Sequence, residues 1–553
     1  MPPDSHALDV DSAWPPGTVR LEVLTTPDLS RASEAAEVVL QPKPSSDPND
    51  PLNWPTWRKH LNFALVNYYA LMVYALIDVA TVTWGPMNKD IGFSYAIMND
   101  SYAAGCGSLA IGGLFLVPLS LKYGRRPVYI LSTAAQCGLC VWLARMQNVG
   151  DLMGGNILTC IVGALAEVLV QMTIADIYFI HHRGVANTIY YWCITFGTTL
   201  SPLAGGYIIP SQGWRWVWWW MVILLGAGLV AFVFLYEETM FSRPIEGLAL
   251  SSQKLDNEQP VDKKDPEMPK ADEAEEVEDV QVQPTVAAAP RIDPSIPKKT
   301  YWQKLAFWST STMSVSQMTR QMYQPLVILV SFPAICFMCF EYGMLTACTT
   351  VPVTTLSSVM TLPPYNFNPQ QIGLMGIPQF VGTTLGTLAS GPLSDSIVLF
   401  LAKRRGGVYD PEMRLWLALA FTPFVPAGLF MFGIGLNNGV HWLLPAFGLG
   451  VSSFGIVPAS SSALTYLTDA YTDIVADAIV GLTFVRNVIS TIFVFIQTPW
   501  ANATGLTWFY VAFGLINFVI LMGNAVFIWF GKRFRVGYAD RYRSYSEQRI
   551  KEM

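Results

Sequence analysis

Four charged side chains stand inside runs of otherwise apolar residues, and their types could carry charge or protons through a low-dielectric medium. Asp78 lies in YALIDVATVTW, Glu167 in NILTCIVGALAEVLVQMTIAD (156–176), Glu341 in CFMCFEYGM, and Arg486, followed by Asn487, in GLTFVRNVIST. A charged side chain at the centre of a bilayer costs about 2.5 to 3.5 kcal/mol on insertion scales, so each should face water or an internal partner rather than lipid. Gln171 lies four residues after Glu167, on the same helical face, and extends a polar stripe. Burial disfavours a charged carboxylate and a nearby cation favours it, so such acids could exchange a proton for a cationic solute. The alternative for each acid is a hydrogen bond that serves helix packing alone. Arg486 needs a counter-charge, for which Glu341 and Asp477 are the candidates, either as a structural ion pair or as a substrate contact. Tyr190, Tyr191, Trp192 and Tyr342 offer aromatic surface, but neighbours on a helix point about 100° apart, so not all can face one cavity.

The elements that must hold these groups are membrane spans. With 52% hydrophobic and only 13% charged residues, and a mean hydropathy of +0.36, the 553-residue chain is too apolar for an ordinary soluble enzyme. It reads as an all-α polytopic membrane protein. About twelve apolar spans are expected, near 61–86, 101–121, 127–145, 153–177, 185–209, 215–236, 326–350, 370–394, 414–436, 441–465, 475–499 and 506–530. They divide the chain into a cytoplasmic tail (1–59), a six-helix bundle (60–238), an acidic insert (239–300), a second six-helix bundle (301–531) and a C-terminal tail (532–553).

Loop charge sets the orientation. Lys122, Arg125 and Arg126 follow the second span, Arg183 with His181 and His182 the fourth, and Lys403 to Arg405 the eighth, so these loops and both termini are expected in the cytoplasm. The N-x-S/T triplets at Asn99 and Asn502 then fall outside and are candidate glycosylation sites. The N-terminal tail has no basic region followed by an apolar core, so no cleavable signal peptide is expected. The insert, with DEAEEVEDVQVQP, cannot bury enough apolar surface to order itself and is expected to be a disordered tether, a regulatory role being the alternative. Trp residues in GWRWVWWW (213–220) suit an aromatic belt or, less simply, substrate stacking. The CxxC pairs Cys137/Cys140 and Cys336/Cys339 lie in apolar spans without His, which argues for helix packing, not for a metal or a disulfide framework.

Pro-Leu-Ser recurs after the second and eighth spans, at 118–120 and 392–394, as in a diverged duplication. With Asp50, Pro51, Asn53 and Trp54 before the first span, YGRRP at 123–127 and GTTLSPLAGG at 197–206, the chain resembles major facilitator superfamily transporters, specifically the fungal drug:proton antiporter type and its organic-cation relatives. The resemblance covers roughly 47–535. It implies the major facilitator fold, two pseudo-symmetric bundles whose first and fourth helices line a central cavity, and so places Asp78, Glu167 and Glu341 on such helices. GTTLSPLAGG resembles the family's antiporter motif, with Ser201 in place of its middle glycine. Pro202 removes a helical donor, and Gly197, Gly205 and Gly206 admit a close neighbour, as a leak-resistant seam or as packing alone. Gly124, Arg125 and Arg126 belong to an inner gate in which the arginines could pair with Asp176. The family's acid at the end of the second span is replaced by Leu121, while Asp395 holds the equivalent place in the second half. This departure makes the gate of the first half look incomplete.

The expected function is secondary-active, alternating-access export of a small organic molecule (drug, toxin or secondary metabolite) in exchange for protons; the alternative is proton-coupled uptake of an organic cation such as a polyamine. The expected partners are that solute, protons and the lipid bilayer, with no nucleic acid, and the protein is expected to be a monomer. A proton gradient takes the place of any cofactor or metal, and no nucleotide-binding loop is seen. A membrane enzyme would need a clustered catalytic set, but the five His residues fall in tails, loops or span ends and neither HExxH nor GxSxG occurs. A channel or a transport-dead sensor remains as a further class. The expected location is the cell membrane, multi-pass, with the vacuolar membrane as the alternative.

Overall fold

The computed structural model describes residues 18–20, 45–241, 296–297, 299–306, 314–405, 408–471 and 474–552. Most of the expected N-terminal tail and acidic insert lies outside these residues. Among the described residues, eleven helices are long and apolar enough to cross a membrane. With the 33-residue helix Ile180–Gln212, whose Thr, Ser, Gly and Pro make it less apolar, they form the expected twelve. They are α1 (Thr56–Asp90), α2 (Tyr95–Tyr123), α3 (Arg125–Ala144), α4 (Val149–Ile177), α5 (Ile180–Gln212), α6 (Arg215–Leu235), α7 (Pro333–Val359), α8 (Pro369–Arg404), α9 (Pro411–Asn437), α10 (Leu443–Ala470), α11 (Val475–Thr504) and α12 (Leu506–Gly537).

Local chemistry explains where these helices start and turn. Gly124, at φ 96°, ends α2 and begins α3, so the chain reverses at one residue that only glycine accommodates without strain. Asn368 caps α8 by accepting from the Gln371 amide at 2.9 Å, and Gln371 returns a bond to the Asn368 amide at 3.0 Å. Within α5 and α7 the many hydroxyls bond to carbonyls of the preceding turn, as Thr199 does to Thr195 at 2.6 Å and Thr346 to Tyr342 at 3.0 Å. Polar side chains are thereby satisfied inside a span.

The six helices of each half pack on one another, α1 with α5 and α6, α2 with α4, α3 with α6; α7 with α10 and α11, α8 and α9 with α10, α9 with α12. The halves meet along α2 with α11 and α5 with α8, the second helix of one half against the fifth of the other in both cases. A short antiparallel pair, β1 (Val19–Arg20) with β2 (Val408–Tyr409), joins the N-terminal segment to the loop between α8 and α9.

The structure corrects two expectations and refines a third. The apolar run at 326–350 is not one span: a separate helix, Val315–Ser331, ends before Phe332, and α7 begins at Pro333, which lacks an amide hydrogen and disfavours helix in the residue before it. Asn99 is buried in α2 and donates to the Val494 carbonyl at 2.8 Å, so it is no exposed glycosylation acceptor, whereas Asn502 is exposed in the last turn of α11. The Trp cluster divides by helical face. Trp214 and Trp218 are buried, Trp214 donating to Asp90 at 2.8 Å, and Trp216 and Trp220 point outward as an aromatic belt requires.

Candidate functional site: a polar cavity between the two halves

A cavity of about 250 Å³ lies where the halves face each other, lined by α1, α2, α4 and α5 on one side and α7, α8, α10 and α11 on the other. The first and fourth helices of each half line it, as expected, together with the second and fifth. Glu167 is buried in its lining and pairs with the Arg486 guanidinium, so a carboxylate from α4 and a cation from α11 join the halves. Asn487 donates to the other Glu167 oxygen at 2.9 Å, and the Tyr74 hydroxyl from α1 approaches the first at 3.4 Å. The counter-charge for Arg486 is therefore Glu167 rather than Glu341, and Asp477 lies back in the first turn of α11. Breaking one side of a buried pair of this kind costs about 3 to 5 kcal/mol.

Asp78 forms a second acidic position in the same lining, held by the Tyr102 hydroxyl of α2, which donates at 2.7 Å. Opposite stand the hydroxyls of α7. Tyr342, Leu345, Thr346, Thr349, Thr350 and Val353 line the cavity at intervals of three and four residues, which is one helical face. Glu341, one position away and so about 100° round the helix, falls off this face. It is fully buried between α7 and α12, where Asn524 donates to it at 2.6 Å. Glu341 is thus sealed in a helix contact instead of bordering the cavity. Of the other sequence candidates, Tyr191 lines the cavity, and Gln171 reaches it only through the Tyr191 hydroxyl at 3.4 Å. Tyr190 is buried and donates to the Ala166 carbonyl at 2.6 Å, and Trp192 is exposed beside Phe380.

On the orientation set by loop charge, the outer ends of the halves are closed on each other. A Cβ added to Gly206 would come within 2.5 Å of the Pro369 carbonyl, and one on Gly376 within 2.2 Å of the Thr199 carbonyl. Pro202 takes part through its own carbonyl, which lies 2.6 Å from the corresponding point on Gly373. Backbone meets backbone here, and α5 and α8 can approach so closely only where side chains are missing. Gly197 and Gly205 face α1 instead, against Leu71 and Val79.

At the inner ends the two halves repeat one ion pair. Arg125 at the start of α3 binds Asp176 at the end of α4 at 2.7 Å, and Arg414 at the start of α9 binds Asp469 at the end of α10 at 2.5 Å. Asp395 is largely exposed and reaches Arg414 only at 3.9 Å. Glu238, just after α6, which motif spacing did not reveal, accepts from the Arg125 and Arg126 amides at 3.1 and 3.0 Å and so caps α3. Tyr74, Tyr102, Asp469 and the threonines of the α7 face, Thr346, Thr349 and Thr350, were likewise missed. Only the last carried a sequence signal, their recurrence at helical spacing.

The comparisons agree with this architecture. The sequence profile of the Major Facilitator Superfamily matches residues 66–495. The uncharacterized MFS-type transporter C1271.10c of Schizosaccharomyces pombe is 31% identical over 565 residues, covering 99% of this chain and 96% of that protein. Protein HOL1 of Saccharomyces cerevisiae is 31% identical over 534 residues, 90% of each chain, and efflux pump radE of Floropilus chiversii is 24% identical, covering 88% of this chain and 83% of that protein. In three dimensions the chain is similar to the peptide transporter POT in complex with sulfate, with a TM-score of 0.57, 14% identity and coverage of 87% and 96%. Two halves related by a repeated ion pair, with a cavity between them that holds buried charges, and a profile match over most of the chain lead to one assignment: this multi-pass membrane protein belongs to the Major Facilitator Superfamily, a family of secondary transporters.

Proposed function

We propose that the protein exports a small organic molecule in exchange for protons, by alternating access of the central cavity. The observation that carries this reading is the Glu167–Arg486 pair, which crosses from one half to the other inside the cavity. A proton taken up by Glu167 removes the charge that holds Arg486, and so loosens a contact between the halves. Proton binding and the relative movement of the halves are then one event, as coupled transport requires. The presence of an efflux pump among the relatives supports the outward direction.

A second reading, proton-coupled uptake of an organic cation such as a polyamine, is favoured by charge. Glu167 is compensated by Arg486, while Asp78 is held by the Tyr102 hydroxyl, and Tyr74, Tyr191 and Tyr342 line the same cavity. Such a lining favours an ammonium group through charge and ring-face attraction. Purified protein in vesicles separates the readings. With labelled spermidine or a panel of drug-like probes outside, an acidic interior drives accumulation by an antiporter and an acidic exterior drives it by a symporter. Accumulation indifferent to either gradient removes proton coupling from both readings.

A further inference from the structure

We infer that the edge of β2, in the cytoplasmic-side loop between α8 and α9, is a docking site for the chain's own N-terminal segment around Thr18, and that docking braces the inner gate of the second half. The backbone of Val19–Arg20 adds to β2 as an antiparallel strand, with Val19 opposite Tyr409 and Arg20 opposite Val408. Strand addition gives such a segment its affinity through main-chain hydrogen bonds, and specificity must come from side chains beside it. Here Thr18 supplies it. Its hydroxyl donates to Asp410 at 3.1 Å and accepts from Arg535 at 3.1 Å, so both of its hydrogen-bonding roles are used on charged groups. Both partners are buried, Arg535 being held by two bonds of 2.8 and 2.7 Å to Glu412. A buried, two-sided receptor for one hydroxyl is a built site rather than a chance contact of a tail.

The docked strand adjoins the gate. Tyr409 of β2 donates to Asp469 at 2.5 Å and accepts from Arg414 at 3.0 Å, which places β2 in the ion pair that ties the start of α9 to the end of α10. The segment precedes the first half in sequence yet docks on the second. Its effect is local, on the order of the loop that carries Tyr409.

The test uses the full chain with its eight cysteines replaced. Arg20→Cys/Val408→Cys is expected to form a disulfide with copper phenanthroline, and Arg20→Cys/Lys122→Cys, which aims at the loop of the first half, is not. Thr18→Val should lower the yield at least several-fold and Thr18→Ser should keep it. Deletion of residues 1–20 should speed hydrogen exchange in peptides spanning 405–411 by tenfold or more, as should Thr18→Val to a smaller degree. Equal crosslinking of both pairs, or unchanged yield in Thr18→Val, overturns the docking site. Crosslinking as expected with unchanged exchange overturns the bracing role.

Discussion

Glu167 of α4 and Arg486 of α11 are paired across the boundary between the two halves, each inside a span, each the other's counter-charge. A low-dielectric site makes this contact strong when both groups are charged and costly when either is left alone. Any event that changes the charge of Glu167 therefore acts on how the halves are joined.

Glu167→Gln is expected to lower the thermal stability of the purified protein, because it leaves Arg486 buried without its partner, by an amount on the order of 3 to 5 kcal/mol. Arg486→Gln should do the same in reverse. The double variant should recover much of the loss, because both charges are then gone, while coupled transport stays absent. A thermal-shift double-mutant cycle measures this. Additive losses would show that the two residues do not act as a pair.

Asp78→Asn keeps the size of the side chain and a group that can bond to Tyr102, so the fold should survive. Transport of a cationic probe should fall by at least tenfold, with a smaller fall for Tyr102→Phe, which leaves the charge in place. Vesicle uptake at saturating and limiting probe concentrations distinguishes lost affinity from lost turnover. Wild-type uptake by Asp78→Asn would remove this carboxylate from the mechanism.

Glu341→Gln should retain proton-coupled transport to within about a factor of two. The side chain contacts Asn524 in the contact between α7 and α12 and lies off the cavity face, so a neutral amide of the same shape replaces it with little change. Uncoupled transport in this variant would mean that Glu341 reaches the proton path in another conformation of the cycle.

Gly376→Val should block transport by forcing α5 and α8 apart. Even a Cβ would stand 2.2 Å from the Thr199 carbonyl, which no rotation of a side chain relieves, so α5 and α8 must separate at their outer ends. A cysteine introduced at Ile208 on α5 should become more reactive to a membrane-impermeant thiol reagent in this background. Unchanged reactivity together with normal transport would show that this seam has no part in closure.

Much of this architecture was readable from the residues alone. Apolar runs of span length, positive loops on alternate connections and YGRRP at 123–127 were enough for twelve helices in two related halves, because the bilayer leaves a chain few ways to satisfy its backbone. Intramembrane charges at 78, 167, 341 and 486 marked the region of the site for the same reason: charges there are too costly to stand without a partner or water.

Which of those charges meet was decided only by tertiary structure. Glu341 and Tyr342 are neighbours in sequence, yet one is sealed against Asn524 and the other faces the cavity, because about 100° of helical rotation separates them and the packing of α7 on α12 fixes which way each points. Glu167 finds Arg486, 319 positions away, and the amides of Arg125 and Arg126 find Glu238, through contacts between helices that no local pattern encodes. The sequence by itself determined that the chain spans the membrane in two matched sets of helices and must neutralise a few charges within them. Their partners follow from how those helices are rotated and packed, and rotation is set by the sum of many small side-chain contacts along each helix.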